Sequence, residues 1–339
     1  MGNKKIPFVI LISFIFFFIR TSPSVGKETS LTLIYTSNNL GEVELCGCPE
    51  SGDNGGLSRR SHYLKTVREE AESLLILDAG DALVISFFSQ ESEREKARKR
   101  AEFVLDIYEK IGYDVLNIGD TDLGLGVEYL KSLQEKSKIP FLSANLKEKK
   151  TGGLIFKSHL VKQVDGMRIG IIGLLTLDIH PSIQKGLTNY VIEDPIKTAL
   201  ETINHDLADC DYIIALAHLT PIEIQTLTQR VSKISIAIGG NDRSFIFPKQ
   251  LSHSVYVQTD AFGAHVGRMN LKLVKGSQEF IDVLPRTKTQ NNIGEVQNTE
   301  GKNTFENRLS PMHPGVESDP EVEQLIAVSK DQLKRPISY

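Results

Sequence analysis

Polar side chains follow several apolar stretches of the sequence, at the points where those stretches end. They are Asn38, Asp78, Asp81, Asp120, Asp122, His218 and Asn241. Carboxylate, imidazole and amide groups are ligands of divalent cations, and carboxylates and imidazoles also transfer protons. Ligands of open α/β sheets bind at the carboxyl ends of the strands, so these side chains predict one functional site.

A second group of reactive residues is the Cys46-Gly47-Cys48 pair in the stretch LCGCPESGDNGGLSRR. Two thiols this close could form a strained and therefore labile disulfide, or chelate a soft metal ion with His218 as a third ligand. They could equally be two small buried residues or a local structural disulfide. The spacing alone leaves these interpretations open.

The glycine-rich end of the same stretch, GGLSRR, precedes a predicted helix. Gly55, Gly56 and Arg59 stand where the N–H groups of a helix N-terminus point outward, which is a position that binds anions. The arginine adds a positive charge suited to phosphate or carboxylate. We therefore predict an anion-binding role for these three residues, beside the alternative that the arginine is an ordinary solvated side chain.

Apolar runs alternate with helical patterns along the chain, and these elements must position the reactive side chains. Strands are predicted at LTLIYTS, LLILDAG, DVLNIG, RIGIIGLL, DYIIALAH and ISIAIGG. Helices are predicted from Glu91 to Glu109, in PIKTALETINHDL and in TPIEIQTLTQRVS, where a proline near the start costs no helical hydrogen bond. This alternation predicts an α/β fold built of packed layers.

The composition divides the chain into three parts. Residues 1–26 place Lys4 and Lys5 before an apolar run and small residues after it, which is the order of a secretory signal peptide. We expect residues 30–285 to form a single domain. Residues 286–339 are polar and lack periodicity, so they predict a linker, followed by a short helix from Asp319 to Leu333.

The signal peptide predicts export to the periplasm or the extracellular space, with membrane contact only through an uncleaved signal anchor. The net charge is only -4, so no basic excess indicates a nucleic-acid polymer as a partner. No pattern predicts an organic cofactor. The partner that remains is a small-molecule substrate or a redox partner, which the sequence does not identify.

The motifs, taken in order, resemble the catalytic domain of the secreted 5′-nucleotidase (UshA-like) branch of the calcineurin-like metallophosphoesterases. The stretches that carry the resemblance are TSNNLG, GGLSR, DAGD, GDTDLG, IPFLSAN, GMRIGIIGLL, AHLT and GGNDR, followed by YVQTDAFGAHVGR. The resemblance covers roughly residues 31–284. It implies a four-layer sandwich in one domain, with two mixed β-sheets flanked by helices.

The resemblance also implies a site for two metal ions, whose ligands and catalytic histidine map onto positions of this chain. Those positions are Asn38, Leu40, Asp81, Asp120, Thr121, His218, Asn241 and Arg243. Leucine offers no ligand atom, and arginine carries a fixed positive charge. The set therefore predicts at most one divalent ion of unknown identity, such as Mg²⁺ or Ca²⁺. Its ligands would be Asn38, Asp81, Asp120, His218 and Asn241.

A narrower resemblance concerns GEVELCGCPESGDNGGLSRR, which is similar to the C-G-C signature of bacterial UshA-like (seleno)proteins. It implies thiol redox or metal–thiolate chemistry at Cys46 and Cys48, and this is our leading hypothesis. The first alternative is residual metal-dependent hydrolysis of nucleotide phosphomonoesters, with Asp120 and His218 as catalytic residues. The second alternative is a non-catalytic module that binds a ligand or partner in the same cleft.

Overall fold

The computed structural model describes residues 28–44, 54–88, 90–283 and 298–329. The predicted signal peptide and the Cys46/Cys48 pair lie outside these residues. The strands are β1 (Glu28–Thr36), β2 (Leu74–Asp78), β3 (Val115–Asn117), β4 (Phe141–Leu142), β5 (Leu146–Glu148), β6 (His159–Val164), β7 (Met167–Leu175), β8 (Tyr190–Ile192), β9 (Tyr212–His218), β10 (Ile234–Gly239), β11 (Ile246–Leu251), β12 (Ser254–Gln258), β13 (His265–Val274), β14 (Phe280–Asp282) and β15 (Asn303–Pro311).

The α-helices of the described residues are α1 (Leu57–Glu70), α2 (Glu91–Ile111), α3 (Val127–Lys136), α4 (Pro181–Gln184), α5 (Pro195–His205), α6 (Pro221–Arg230) and α7 (Pro320–Ser329). Helices α1 to α6 connect parallel strands, and α7 follows the last strand. The proline-initiated helices begin as predicted, because Asp194 and Thr220 accept hydrogen bonds from the first free N–H groups of α5 and α6. Among the described residues, no helix is long and apolar enough to cross a membrane.

Within the described ranges the strands form two large mixed sheets. The seven-stranded sheet has the order β14-β15-β13-β1-β2-β3-β4, and the six-stranded sheet has the order β11-β12-β10-β9-β7-β6. Strands β1, β2, β3 and β4 run parallel to one another, and so do β7, β9, β10 and β12. A separate pair of short strands, β5 and β8, lies outside both sheets.

Successive side chains of a strand point to opposite faces of its sheet, and this divides the buried core into layers. Leu33 and Tyr35 of β1 face the second sheet and pack with Ile169 and Leu216, whereas Ile34 packs with residues of α1 and α2. A third cluster lies between the second sheet and helices α5 and α6. The order is therefore helix, sheet, sheet, helix, which confirms the predicted four-layer sandwich in one domain.

Strand β15 corrects the prediction for the C-terminal part of the chain. Residues 303–311 fall in the stretch predicted to be a polar linker, but they pair with β13 over eight residues and with β14 on the other side. The linker prediction is wrong there because two inward positions carry asparagines, which hide the apolar alternation. Asn303 accepts from Tyr212 at 2.7 Å and Asn307 accepts from Tyr35 at 2.9 Å, so both side-chain oxygens are satisfied in the core, whereas Nδ2 of Asn307 has no partner among the described residues.

Candidate metal centre

The candidate site lies where the carboxyl ends of strands from both sheets meet. Strand β2 leads into the loop that carries Asp81, β3 leads into the loop with Asp120, and β9 ends at His218. The backbone N–H of Asn38, after β1, donates to Gly80 O at 2.9 Å and so ties the first loop to the second. The sequence prediction that strand ends converge is thus realised by the sheet topology.

Three side chains form a compact cluster at this place. His218 Nε2 lies 2.8 Å from Asp120 Oδ1 and 3.5 Å from Asp81 Oδ1. The ligand atoms of the three residues all lie within 4.8 Å of one another. His218 is buried and Asp81 nearly so, while the side chain of Asp120 retains 16% exposure. The cluster is therefore enclosed on most sides and opens to solvent at Asp120.

Backbone geometry fixes Asp81 in the cluster. Its φ of 56° is left-handed, and its N–H donates to Asp122 Oδ2 at 3.1 Å. Its Oδ1 accepts from the N–H of Thr121 at 2.9 Å. Gly119 is needed beside it, because a Cβ there would overlap the Asp81 carboxylate. Asp122, a strand-end carboxylate, thus serves the loop backbone rather than the cluster itself.

The electrostatics of the cluster favour a bound cation. Burial raises the pKa of Asp81, the charge of His218 lowers it and Asp120 raises it again, to about 6. Burial lowers the pKa of His218, but the charges of Asp81 and Asp120 outweigh burial and raise it to about 9. One imidazolium faces two carboxylates, so negative charge is in excess. A metal ion would have to displace the proton on His218.

The donor set fits one divalent cation. Two carboxylates and one imidazole are the mixed oxygen and nitrogen ligands that such ions accept in three-residue sites. Nδ1 of His218 is buried and has no hydrogen-bond partner among the described residues, so the ring is tied only through Nε2. No other group of three or more His, Cys, Asp or Glu within the described ranges could hold a metal ion.

Three positions where the resemblance implies metal ligands or the catalytic histidine, Leu40, Thr121 and Arg243, do not belong to the cluster. Leu40 is a core side chain with 2% exposure. The hydroxyl of Thr121 donates to Val84 O at 2.8 Å. The guanidinium of Arg243 is exposed and lies over the ring of Phe262, 5.8 Å from its centroid. The positive charge of Arg243 is thus directed to an aromatic ring at the surface.

The remaining predicted ligands border the cluster. Asn241 Nδ2 donates to Asp120 Oδ1 at 3.4 Å, which brings this residue to the cluster as a donor. Asn38 Nδ2 donates to Asp242 O at 2.9 Å. Asn38 is therefore held by the neighbouring loop, and a role as a metal ligand stays a prediction for both asparagines.

The residues predicted to bind an anion converge on a protein oxygen. The N–H of Gly55 donates to Met312 O at 2.9 Å, and Arg59 Nη1 donates to the same oxygen at 3.1 Å. Gly56 occupies the N-cap of α1 without a side-chain cap. The Met312 carbonyl oxygen thus accepts the hydrogen bonds that we expected an anion to accept. Anion binding by these three residues stays a prediction.

The Cys46/Cys48 pair lies in residues 45–53, outside the described ranges. Its described flanks are anchored beside the cluster. Gly41 N–H donates to Ala82 O at 3.0 Å, next to Asp81, and the N–H of Leu57 donates to Val43 O at 2.9 Å. A redox or metal–thiolate role for the two thiols therefore stays a prediction.

Sequence reasoning missed a second buried charged group beneath the cluster. Arg60 has 0% exposure and donates to Tyr108 at 2.9 Å and Tyr113 at 3.2 Å. Tyr108 in turn donates to Asp78 at 3.2 Å. The sequence gives little indication that Arg60 is buried. It is adjacent to Arg59, and the two arginines differ only in that Arg60 lies on the inner face of α1.

Comparison with known proteins adds sequence and fold relatives. No protein-family model matches the chain. A snake venom 5′-nucleotidase from Gloydius brevicauda is 24% identical over 257 residues, which are 71% of this chain and 41% of that protein. The 5′-nucleotidase of Mus musculus is 29% identical over 205 residues, which are 57% of this chain and 33% of that protein. The chain thus spans less than half the length of these two curated relatives.

Two solved structures match most of the chain. The calcineurin-like phosphoesterase YfkN of Bacillus subtilis superposes with a TM-score of 0.69 at 17% identity, covering 91% of this chain and 99% of that one. The sulfate thiohydrolase SoxB of Thermus thermophilus gives a TM-score of 0.70 at 17% identity, over 89% of this chain and 60% of that one. The protein therefore has the calcineurin-like phosphoesterase fold and is a sequence relative of 5′-nucleotidases.

Proposed function

We propose that this protein is a metal-dependent phosphoesterase that binds one divalent cation through Asp81, Asp120 and His218. The observation that carries the proposal is the convergence of these three ligand atoms within 4.8 Å at the strand ends. The likeness to 5′-nucleotidases supports small phosphomonoesters, and nucleoside monophosphates first, as the substrate class.

The chain's own residues account for most of the proposed site. A bound divalent cation polarises a phosphoryl oxygen and lowers the pKa of a bound water. Asp81 is held by the Asp122 contact and by its left-handed backbone. Asn241 Nδ2 is a neutral donor at the edge of the cluster, within reach of a phosphoryl oxygen placed beside Asp120.

The proposed site has lost a catalytic group that its resemblance to the nucleotidase family implies. Position 121 is threonine, and its hydroxyl is committed to a backbone carbonyl. General acid–base groups contribute rate factors of about 10²–10⁴. We therefore expect hydrolysis to be slower by about this factor than in relatives with a complete two-metal site.

Calorimetric titration with Mn²⁺ and hydrolysis of AMP test the proposal. Wild type should bind one Mn²⁺ per chain and release phosphate from AMP. His218→Ala should weaken Mn²⁺ binding by more than about 100-fold. Mutation of a residue that only hydrogen-bonds to a metal ligand weakens binding by at most about this factor, so a larger loss indicates a ligand. The matched control is His265→Ala, since His265 pairs with Asp260 at 2.8 Å outside the cluster. A wild type that binds no Mn²⁺ would overturn the proposal.

A second candidate function is thiol chemistry at Cys46 and Cys48. It is favoured by the position of Gly41, which precedes the two cysteines in the sequence and whose N–H donates to Ala82 O, next to Asp81. Such thiols could form a redox couple or bind a soft cation together with His218. Thiol titration against defined redox potentials tests this role. A pair that never forms a disulfide, together with unchanged metal affinity in the double serine variant, would exclude it.

Two further proposals follow from the sequence. If Mn²⁺ binds but no phosphomonoester is hydrolysed, the cleft serves as a non-catalytic binding module for a small molecule. We also propose export through the N-terminal signal peptide to the periplasm or the extracellular space. Cell fractionation with N-terminal sequencing of the mature chain tests export, and an intact Met1 in the cytosolic fraction would contradict it.

A further inference from the structure

Arg60 lies at the base of the candidate metal centre and is fully enclosed by protein. One terminal nitrogen, Nη1, donates to the hydroxyls of Tyr108 and Tyr113. The other, Nη2, donates to Asn39 Oδ1 at 2.8 Å. Nε has no hydrogen-bond partner among the described residues, so the contacts of Nη1 and Nη2 fix the position of this buried guanidinium.

Asn39 connects Arg60 to the backbone that carries Asp81. Its Nδ2 donates to Glu42 O at 2.9 Å and to Ala82 O at 3.3 Å. At the two residues that follow Asn39, backbone N–H groups join the same loops: Leu40 donates to Asp81 O at 2.8 Å and Gly41 donates to Ala82 O at 3.0 Å. The Asn39 amide is therefore a side-chain bridge between the loop after β1 and the loop that presents Asp81.

A second path leads from Arg60 to the same loop through Asp78. Tyr108 accepts from Arg60 and donates to Asp78 Oδ2, and Asp78 Oδ1 accepts from the N–H of Gly80 at 2.9 Å. Gly80 immediately precedes Asp81. Arg60 is thus linked to this loop on both sides of the cluster residue.

The segments that meet here are held in left-handed backbone conformations. Asn38, Leu40, Asp81 and Phe262 have φ values of 52°, 56°, 56° and 61°. Residues other than glycine in this region persist only where their surroundings fix them. Phe262 N–H donates to Asn38 O at 2.8 Å, and at the next residue, Gly263, a Cβ would overlap Arg60.

We infer that Arg60, acting through Asn39, is a positioning residue that holds Asp81 in the geometry needed to bind a cation. The inference rests on the proposed function, because it assigns Asp81 as a metal ligand. Without the bridge, the Asp81 loop can relax away from Asp120 and His218. Cation affinity then falls although none of the three ligands has changed.

A pair of variants separates positioning from plain stabilisation of the core. Asn39→Ala removes the bridge to the Asp81 loop, whereas Tyr113→Phe removes a contact of Arg60 that lies on neither of the two paths. We expect Asn39→Ala to weaken Mn²⁺ binding by about 10- to 100-fold, which is the loss typical of residues that orient a metal ligand without touching the metal. Tyr113→Phe should leave the affinity within about twofold, well below that range. Equal affinities in the two variants would overturn the inference.

Hydrogen exchange in the metal-free protein gives a readout that does not depend on the cation. The N–H groups of Leu40 and Gly41 should exchange faster in Asn39→Ala and at the wild-type rate in Tyr113→Phe. Unchanged exchange in both variants would refute the bridge, whatever the metal affinity. If wild type binds no Mn²⁺, the proposed function fails, while exchange still tests the bridge. Should Asn39→Ala not fold, Asn39→Ser, which cannot span to Ala82, is expected to give the same losses.

Discussion

Two buried charged clusters lie side by side at the carboxyl end of the seven-stranded sheet, and they differ in balance. In the lower one, the positive charge of Arg60 is matched by Asp78, with Tyr108 and Tyr113 between or beside them. In the upper one, Asp81 and Asp120 share a single imidazole. The lower cluster is closed, whereas the upper one reaches solvent at Asp120.

The comparison shows that burial of charged groups does not by itself identify a site. A closed and balanced cluster needs nothing more and serves the fold. An open cluster with excess negative charge is costly until a cation occupies it. Its ligand atoms already lie within 4.8 Å of one another, close enough to contact one cation. Charge excess together with access therefore distinguishes the candidate metal centre from the Arg60 network.

The largest expected effect breaks the lower cluster. Arg60→Met leaves Asp78 buried without its compensating charge, so the free energy of unfolding should fall by about 3–5 kcal/mol. Urea denaturation followed by circular dichroism measures it. The matched control is Arg59→Met, at a half-buried arginine that donates to Met312 O, with an expected loss of about 1 kcal/mol. Similar losses in the two variants would mean that the lower cluster is not balanced by Arg60.

A second prediction separates the two clusters by their response to a cation. Mn²⁺ at 100 times its dissociation constant should stabilise wild type by about 2.7 kcal/mol. Asp120→Asn removes a ligand charge and should abolish this gain. Asp78→Asn should unfold more easily without metal yet keep the full gain, because Asp78 is not a ligand and the amide oxygen that replaces its carboxylate can still accept from Gly80 N–H. Thermal unfolding with and without Mn²⁺ measures both, and loss of the gain in Asp78→Asn would contradict the separation.

The smallest effect concerns Asp319, a carboxylate that is paired with a lysine and belongs to neither cluster. Asp319 precedes α7 and accepts from Ser61 at 2.5 Å and Lys65 at 2.9 Å. Burial raises the pKa of Asp319, but these hydrogen bonds outweigh burial and lower that pKa below its usual range. A lowered pKa means that the contribution to stability is present above pH ~4 and is lost as the pH falls through the folded value.

Asp319→Asn should therefore cost about 1 kcal/mol at pH 7 and progressively less below pH ~4. Unfolding free energies of wild type and variant, measured from pH 7 to pH 3, test this. A difference that stays constant over the whole range would show that the charge of Asp319 plays no part.

The sequence predicted the layers and the convergence of strand ends, because both depend on apolar alternation and on polar residues at strand termini. It singled out Asp81, Asp120 and His218 for the same reason. It could not separate Arg59 from Arg60, since adjacent helical residues differ only in the face they occupy. It also missed β15, whose inward asparagines accept hydrogen bonds from tyrosines distant in the chain.

The insertion of β15 has a consequence for how the chain can be shortened. Because β15 lies between β13 and β14, a chain ending at residue 285 would leave β13 with a long row of unpaired N–H and C=O groups. An exposed edge of this kind recruits strands from other molecules. A protein trimmed to the boundary predicted from composition is therefore expected to aggregate, whereas one that keeps residues 298–329 should stay monodisperse in gel filtration.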